Sequence, residues 1–187
     1  LYSYDFKGLN DKGLPLFNLL NGSTKFEDIN FQQIDNILSY LKKEGPVEPN
    51  ITAGLSNTFR YKNWELSALI TVAAGNKIRK PDQYSVDYND LSVFPKEMRN
   101  RWINPGDEKV TNIPAIADKR TVNEVGRATL RRVYNAYNYS TERVVDGSFV
   151  RMKSIGLSYA FPKEVLDQLK VSNLTLRLQA TNPFLIY

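Results

Sequence analysis

The strongest constraint in this sequence is a pair of alternating segments held two residues apart. In residues 51–61, Ala53, Leu55, Asn57, Phe59 and Tyr61 fall on one face, and Thr52, Gly54, Ser56, Thr58 and Arg60 on the other. In residues 64–74, Trp64, Leu66, Ala68, Ile70 and Val72 share a face opposite Glu65, Ser67, Leu69, Thr71 and Ala73. A side-chain period of two marks a β-strand, and Lys62-Asn63 has the length and chemistry of a tight hairpin turn. Each segment is close to the roughly 9–11 residues that a tilted strand needs to cross a bilayer.

Two later segments continue the pattern. In residues 148–161, Ile155, Leu157 and Tyr159 oppose Ser154, Gly156 and Ser158, but Val150 and Met152 are out of phase with them. Either a β-bulge near Lys153-Ser154 re-phases this strand, or its first half projects beyond the surface that buries the second. In residues 173–180, Leu174, Leu176, Leu178 and Ala180 oppose Thr175, Arg177 and Gln179. A further strand is expected near residues 1–7. Between the two later strands, Pro162 followed by Val165, Leu166 and Leu169 predicts one or two helical turns within residues 162–172.

Composition removes whole classes of chemistry. The 187 residues include neither cysteine nor histidine. That excludes disulfides, thiol nucleophiles and cysteine-ligated zinc or iron–sulfur sites, together with Ser-His-Asp catalysis and most zinc enzymes. Glu65 is the only acidic residue inside the strands and Asp146 borders one, so no facing carboxylate pair suggests a glycosidase. Asp82, Asp87 and Asp90 with Asn89 do not follow the ligand spacing of a calcium loop and read as a solvated acidic stretch. No enzyme activity, cofactor or metal is expected. The net charge of +5 is spread along the chain, with no basic run that would suggest nucleic acid. No stretch is long and apolar enough for a transmembrane helix, a test that barrel strands escape because they average their two faces.

The connections are unequal. Short links, residues 62–63 and 162–172, alternate with long polar segments, residues 8–50 and 75–147. A compact soluble domain seldom carries such segments, whereas an outer-membrane barrel has short periplasmic turns and long external loops. Residues 31–43 predict a short helix, with Ile34, Ile37, Leu38 and Leu41 on a stripe that packs against a loop or the barrel rim. Tyr61 and Trp64 bracket the first turn, and Tyr159 and Phe161 precede the second, the pattern of rings at a lipid–water boundary. The opposite face carries Arg60, Glu65, Arg177 and Gln179, which a lumen accommodates and a small sandwich core would not. The expected fold class is all-β: part of an antiparallel transmembrane β-barrel with Leu55, Phe59, Leu66, Ile70, Leu157, Leu176 and Leu178 toward lipid.

Particular motifs sharpen this reading. Leu1-Tyr2-Ser3-Tyr4-Asp5-Phe6-Lys7-Gly8-Leu9-Asn10, then Gly13-Leu14-Pro15-Leu16-Phe17, resembles a segment of the SusC/RagA family of TonB-linked outer-membrane transporters. So do Gly45-Pro46 and Pro49 leading into residues 54–67, and Arg101-Trp102 with Pro105-Gly106-Asp107. Residues 146–155 with Leu157, Tyr159 and Phe161-Pro162 are similar to a late strand of the family. Residues 171–180 with Asn182-Pro183-Phe184 are similar to the next strand and its exit, with Pro183 where leucine is usual.

The resemblance implies a barrel of about 22 strands, of which residues 1–187 would be a C-terminal part, cut short at both ends. It implies a plug domain elsewhere in the protein, through which TonB would act, and a SusD-like surface lipoprotein as partner. It also implies an oligosaccharide or peptide as cargo, outer-membrane lipid as surroundings, and the cell outer membrane as location. Trp102, Tyr134, Tyr137 and Tyr139 are candidate ring platforms for the ligand or partner, the competing reading being that they pack loops against each other. The alternative from another class, a soluble carbohydrate-binding β-sandwich with Tyr-rich loops, expects strands at regular spacing, which this sequence lacks.

Overall fold

The computed structural model describes residues 1–19, 22–24, 40–88, 91 and 93–187. In chain order the regular elements are β1 (Tyr2–Tyr4), β2 (Phe6–Leu9), β3 (Pro15–Phe17), β4 (Leu41–Lys43), β5 (Ile51–Tyr61), β6 (Trp64–Ala74), β7 (Lys77–Arg79), α1 (Lys119–Val125), α2 (Arg127–Asn138), β8 (Val144–Asp146), β9 (Phe149–Ala160), α3 (Lys163–Leu169) and β10 (Thr175–Ile186). The chain divides into two units. Leu1–Gly45 with Lys77–Val145 forms one, and Pro46–Asn76 with Asp146–Tyr187 the other.

The second unit is a four-stranded antiparallel sheet in the order β10-β9-β6-β5. The hairpin pairs Tyr61 with Trp64 and holds register through to Ile51 opposite Ala74. Lys62, at the first turn position, takes the positive φ of 52° that a two-residue hairpin requires to match strand twist. Helix α3 fills the other short connection. It starts after Pro162 and stops at Lys170, whose left-handed conformation (φ 52°) ends the helix.

A line of irregularity crosses this sheet at one height. Where β6 advances one residue, from Leu69 to Ile70, β9 moves two, from Ser154 to Met152, leaving Lys153 over. Over the same rise β10 moves three, from Thr181 to Phe184. The bulge at Lys153 restores phase, so Val150 and Met152 return to the face of Ile155 and Leu157. Of the two sequence-based explanations, the bulge is therefore the one realised. The last strand runs on past the expected limit of residue 180. Asn182 takes a φ of 51°, and Pro183, which has no N–H to offer a ladder, sits in the irregular step. Phe184 and Ile186 then resume the alternation.

The first unit has a core of its own. Leu14, Phe17, Leu19, Tyr84, Val86, Met98, Leu130, Val133, Tyr134, Ala136 and Tyr137 bury together, with Tyr4 and Phe6 packed against them. Leu130, Val133, Tyr134 and Tyr137 lie at helical spacing on α2, which is why that helix packs one face inward. Two expectations are corrected here. Residues 1–7 do not join the large sheet: β1 pairs with β4 and β2 with β3, where Tyr4, Phe6 and Phe17 pack into this core. Of the helix expected over residues 31–43, Leu41–Lys43 is a strand instead, the partner of Tyr2–Tyr4, and residues 31–39, with Ile34, Ile37 and Leu38, lie outside the described residues.

The core makes a quantitative expectation possible. Leu130 is fully buried, so Leu130→Ala should destabilise this unit by about 2–5 kcal/mol. Protease susceptibility of residues 77–145 in the full-length protein measures it, and a wild-type digestion pattern would contradict the packing.

Candidate functional site

The register of the sheet sorts its side chains into two surfaces. Across β5, β6, β9 and β10 the apolar rows are Tyr61–Trp64–Tyr159–Leu176, then Phe59–Leu66–Leu157–Leu178, then Asn57–Ala68–Ile155–Ala180. Beyond the bulge come Leu55–Ile70–Met152–Phe184 and Ala53–Val72–Val150–Ile186. Ring contacts join the first row at the turn end: Trp64 and Tyr159 lie 4.6 Å apart, and Phe161 is 5.1 Å from Tyr159. This face is uncovered. Phe59 is 64% exposed, Leu178 63% and Leu55 60%, values that water would penalise over so wide a patch.

The opposite face is small and polar near the turns, and farther along the strands it carries Leu69, Leu185 and Arg151. Arg60, Glu65, Ser158 and Arg177 form one row, and Thr58, Ser67, Gly156 and Gln179 the next. Arg60 Nε donates to Glu65 Oε2 at 2.7 Å. Gly156 fits because a Cβ there would come within 3.0 Å of Ser67 Oγ.

In the first unit, charge and rings are used for internal support. The buried Arg143 guanidinium ion-pairs with Glu97, donates to the Pro81 carbonyl at 3.2 Å, and lies 4.9 Å from the Tyr84 ring centre. The Tyr84 hydroxyl donates to Glu97 at 3.0 Å, and the Asn138 side chain bonds both the N–H and the carbonyl of Tyr84. Burial opposes ionisation of Glu97, but the bonds from Arg143 and Tyr84 outweigh it and hold its pKa below the ordinary value.

The candidate rings separate into three cases. Tyr134 and Tyr137 are 0% and 1% exposed, so they present no face to a ligand; their hydroxyls donate to the carbonyls of Ala115 and Asn112. Desolvation pushes both hydroxyls far above the usual tyrosine range. Their ligand-platform reading is thus replaced by core packing, a role signalled in the sequence by the i, i+3, i+4, i+7 spacing of α2. Tyr139 is exposed, but Arg79 lies 5.0 Å from its ring centre and its hydroxyl donates to Asp82 at 3.0 Å. Trp102 borders a cleft of about 580 Å³.

Trp102 is fixed on three sides. Its backbone N–H donates to the Ile113 carbonyl at 2.9 Å, and its indole N–H to Glu108 at 3.1 Å. Its ring lies against Gly13, where a Cβ would stand 2.5–2.7 Å from three ring carbons and where φ is +71°. The sequence marks Arg101-Trp102 as a motif, but not the other charged residues that complete the cleft. Asp11, Lys12, Arg101, Asp118, Arg120 and Glu124 come from three separated stretches that only the fold brings together. Among the described residues no group of three acidic side chains could hold a metal ion.

The Glu97 site has a pH consequence. A carboxylate with a depressed folded pKa contributes stability above its unfolded pKa and loses it as pH falls through the folded one. Glu97→Gln should therefore lower the stability of this unit at neutral pH and weaken its loss on acidification. Thermal melts across the acid range test this; an unchanged acid limb would count against the network.

No protein-family model matches the chain. Three TonB-dependent receptors of Formosa agariphila are similar to it in sequence. Receptor P39 is 27% identical over 140 residues, 73% of this chain and 12% of the receptor. Receptor P26 is 28% identical over 165 residues, 86% of this chain and 15% of the receptor. Receptor P3 is 22% identical over 197 residues, 97% of this chain and 17% of the receptor. Solved structures of the RagAB peptide importer, in its open-open and closed-closed states, align over the whole of this chain and 19% of theirs. The TM-score is 0.64 for both, at 19% and 20% identity. The chain is thus similar to a segment of TonB-dependent receptors, shares the fold of a segment of RagAB, and spans under a fifth of the length of each.

Proposed function

We propose that this chain supplies barrel wall and a folded external portion to an outer-membrane, TonB-dependent nutrient importer of the SusC/RagA type. The observation that carries the reading is the register. Four neighbouring strands place Tyr61, Trp64 and Tyr159 with Leu55, Phe59, Leu66, Ile70, Leu157, Leu176 and Leu178 on one uncovered face, and Arg60, Glu65, Arg177 and Gln179 on the other. Strands of 11 and 12 residues rise about 3.4 Å per residue, so at a tilt near 45° they cover about 25 Å, the height of a barrel's apolar band.

In this reading Leu55, Phe59, Leu66, Ile70, Leu157, Leu176 and Leu178 face lipid, with Tyr61, Trp64, Tyr159 and Phe161 as the girdle at the periplasmic end. The polar face lines the lumen. The outer edges of β5 and β10 pair with strands from the rest of a barrel of about 22 strands, since an open edge is not viable in lipid. A SusD-like lipoprotein caps the assembly, TonB acts through a plug domain elsewhere in the protein, and an oligosaccharide or peptide is the cargo. The sequence similarity to TonB-dependent receptors, and the fold shared with a segment of a peptide importer, support transport over catalysis. A soluble sandwich fits less well, because it would bury one face of this sheet and β5 is exposed along its whole length.

Two measurements test the reading. Ile70→Arg in the full-length barrel should impair assembly by about 2–4 kcal/mol near the midplane; unchanged folding yield and thermal stability would remove Ile70 from the lipid face. With residues 75–147 outside the cell and residues 62–63 in the periplasm, an impermeant maleimide on intact cells should label a cysteine placed at Asn112 and spare one at Asn63. The reverse pattern would refute the orientation.

A further inference from the structure

The cleft beside Trp102 pairs an immobilised aromatic ring with a rim of hydrogen-bonding groups. We propose that it is a binding subsite for a neutral oligosaccharide, the indole serving as the stacking platform for a pyranose ring.

The geometry carries three steps. First, the ring is preorganised. One side rests on Gly13, the indole N–H is held by Glu108 and the backbone by Ile113, so a ligand stacking on it freezes no side-chain rotor. The contact with Gly13 leaves the ring only half-buried, and what remains borders the cleft. Second, the cleft of about 580 Å³ lies within the ordinary range for small-ligand sites, about 300–1,000 Å³, and has room for a short run of sugar rings.

Third, the rim charges balance, and three of them are paired with one another. Lys12 Nζ lies 2.7 Å from Glu124 Oε2, Arg120 Nε lies 3.2 Å from Glu124 Oε1, and Asp118 accepts from the Thr121 N–H at 2.7 Å to cap α1. Three cations and three carboxylates leave the cleft without net charge. Such a rim presents alternating donors and acceptors, which hydroxyl pairs on a sugar satisfy. A peptide terminus or a uronic acid would instead meet both signs at close range.

This deepens the import reading on cargo: the subsite's biological use rests on that reading, but its chemistry does not. The test keeps the two apart. Full-length protein in detergent is probed with an array of neutral oligosaccharides, and in parallel with oligogalacturonates and a hexapeptide library. The proposal expects retention of at least one neutral oligosaccharide. It also expects that affinity to fall at least tenfold in Trp102→Ala and to stay within about threefold in Trp102→Phe, which keeps a stacking ring.

Because Trp102→Ala removes a packing contact, Thr121→Trp provides a second variant that fills the cleft from α1 and leaves Trp102 in place; it should also abolish binding. Wild-type protease resistance of residues 77–145 in each variant certifies the fold. Binding of peptides or uronates alone, no binding by any neutral oligosaccharide, or undiminished binding in well-folded Trp102→Ala and Thr121→Trp would overturn the proposal. Loss of binding with uptake intact would place this cleft off the import route while leaving the transporter reading standing.

Discussion

An antiparallel ladder fixes two things at once: it pairs the backbone polar groups between strands, and it decides which side chains share a face. Here those two consequences cannot be separated. A slip of one residue between β5 and β6 would carry Phe59 and Leu66 out of alignment and send one strand's aliphatics to the face of Arg60 and Glu65. The two-residue turn at Lys62-Asn63 sets that register, and the extra residue at Lys153 keeps it consistent along the length of β9. Bulges bend strands and raise local twist. The stepwise one, two and three residues taken by β6, β9 and β10 at one height concentrate that bending in a single line across the sheet. The apolar and polar surfaces, and with them the proposed placement between lipid and lumen, depend on this register.

The remaining residues answer a different physical problem. Long connections with many backbone polar groups are costly to order unless they bury something. Helix α2 supplies it, and the short pairs β1–β4 and β2–β3 contribute Tyr4, Phe6 and Phe17 to the same packing. Around that core sit a buried arginine paired with Glu97, and an asparagine bonded to both backbone groups of Tyr84. Polar networks of this kind are costly when half-formed, so they favour one arrangement of the connections over many. A rigid frame of this sort is what holds Trp102 against Gly13.

The sheet was legible from sequence because its signal is local. Alternation within 51–61 and 64–74, a two-residue turn, and a phase error at Lys153 each sit inside a short window. The end of β10 was not legible in the same way, since Asn182-Pro183 reads as an exit and only the ladder shows that pairing resumes at Phe184. In residues 75–147 the helical spacing of Leu130, Val133, Tyr134 and Tyr137 was present but obscured by prolines and tyrosines that suggest loop. The same tyrosines therefore looked like surface rings when they were core. The cleft was the least legible, because Lys12, Trp102 and Glu124 are brought together by tertiary contacts that no sequence window contains.

The central claim is that one face of this sheet meets hydrocarbon and the other meets water. Spin labels placed singly along residues 51–61 and 64–74 of the full-length protein in lipid vesicles test it directly, and this stretch offers no native cysteine to interfere. The account predicts accessibility that alternates with period two. Labels at Leu55, Phe59, Leu66 and Ile70 should collide with dissolved oxygen, and labels at Gly54, Thr58, Glu65 and Ser67 with a water-soluble nickel chelate. Accessibility without alternation, or alternation in the opposite phase, would contradict it.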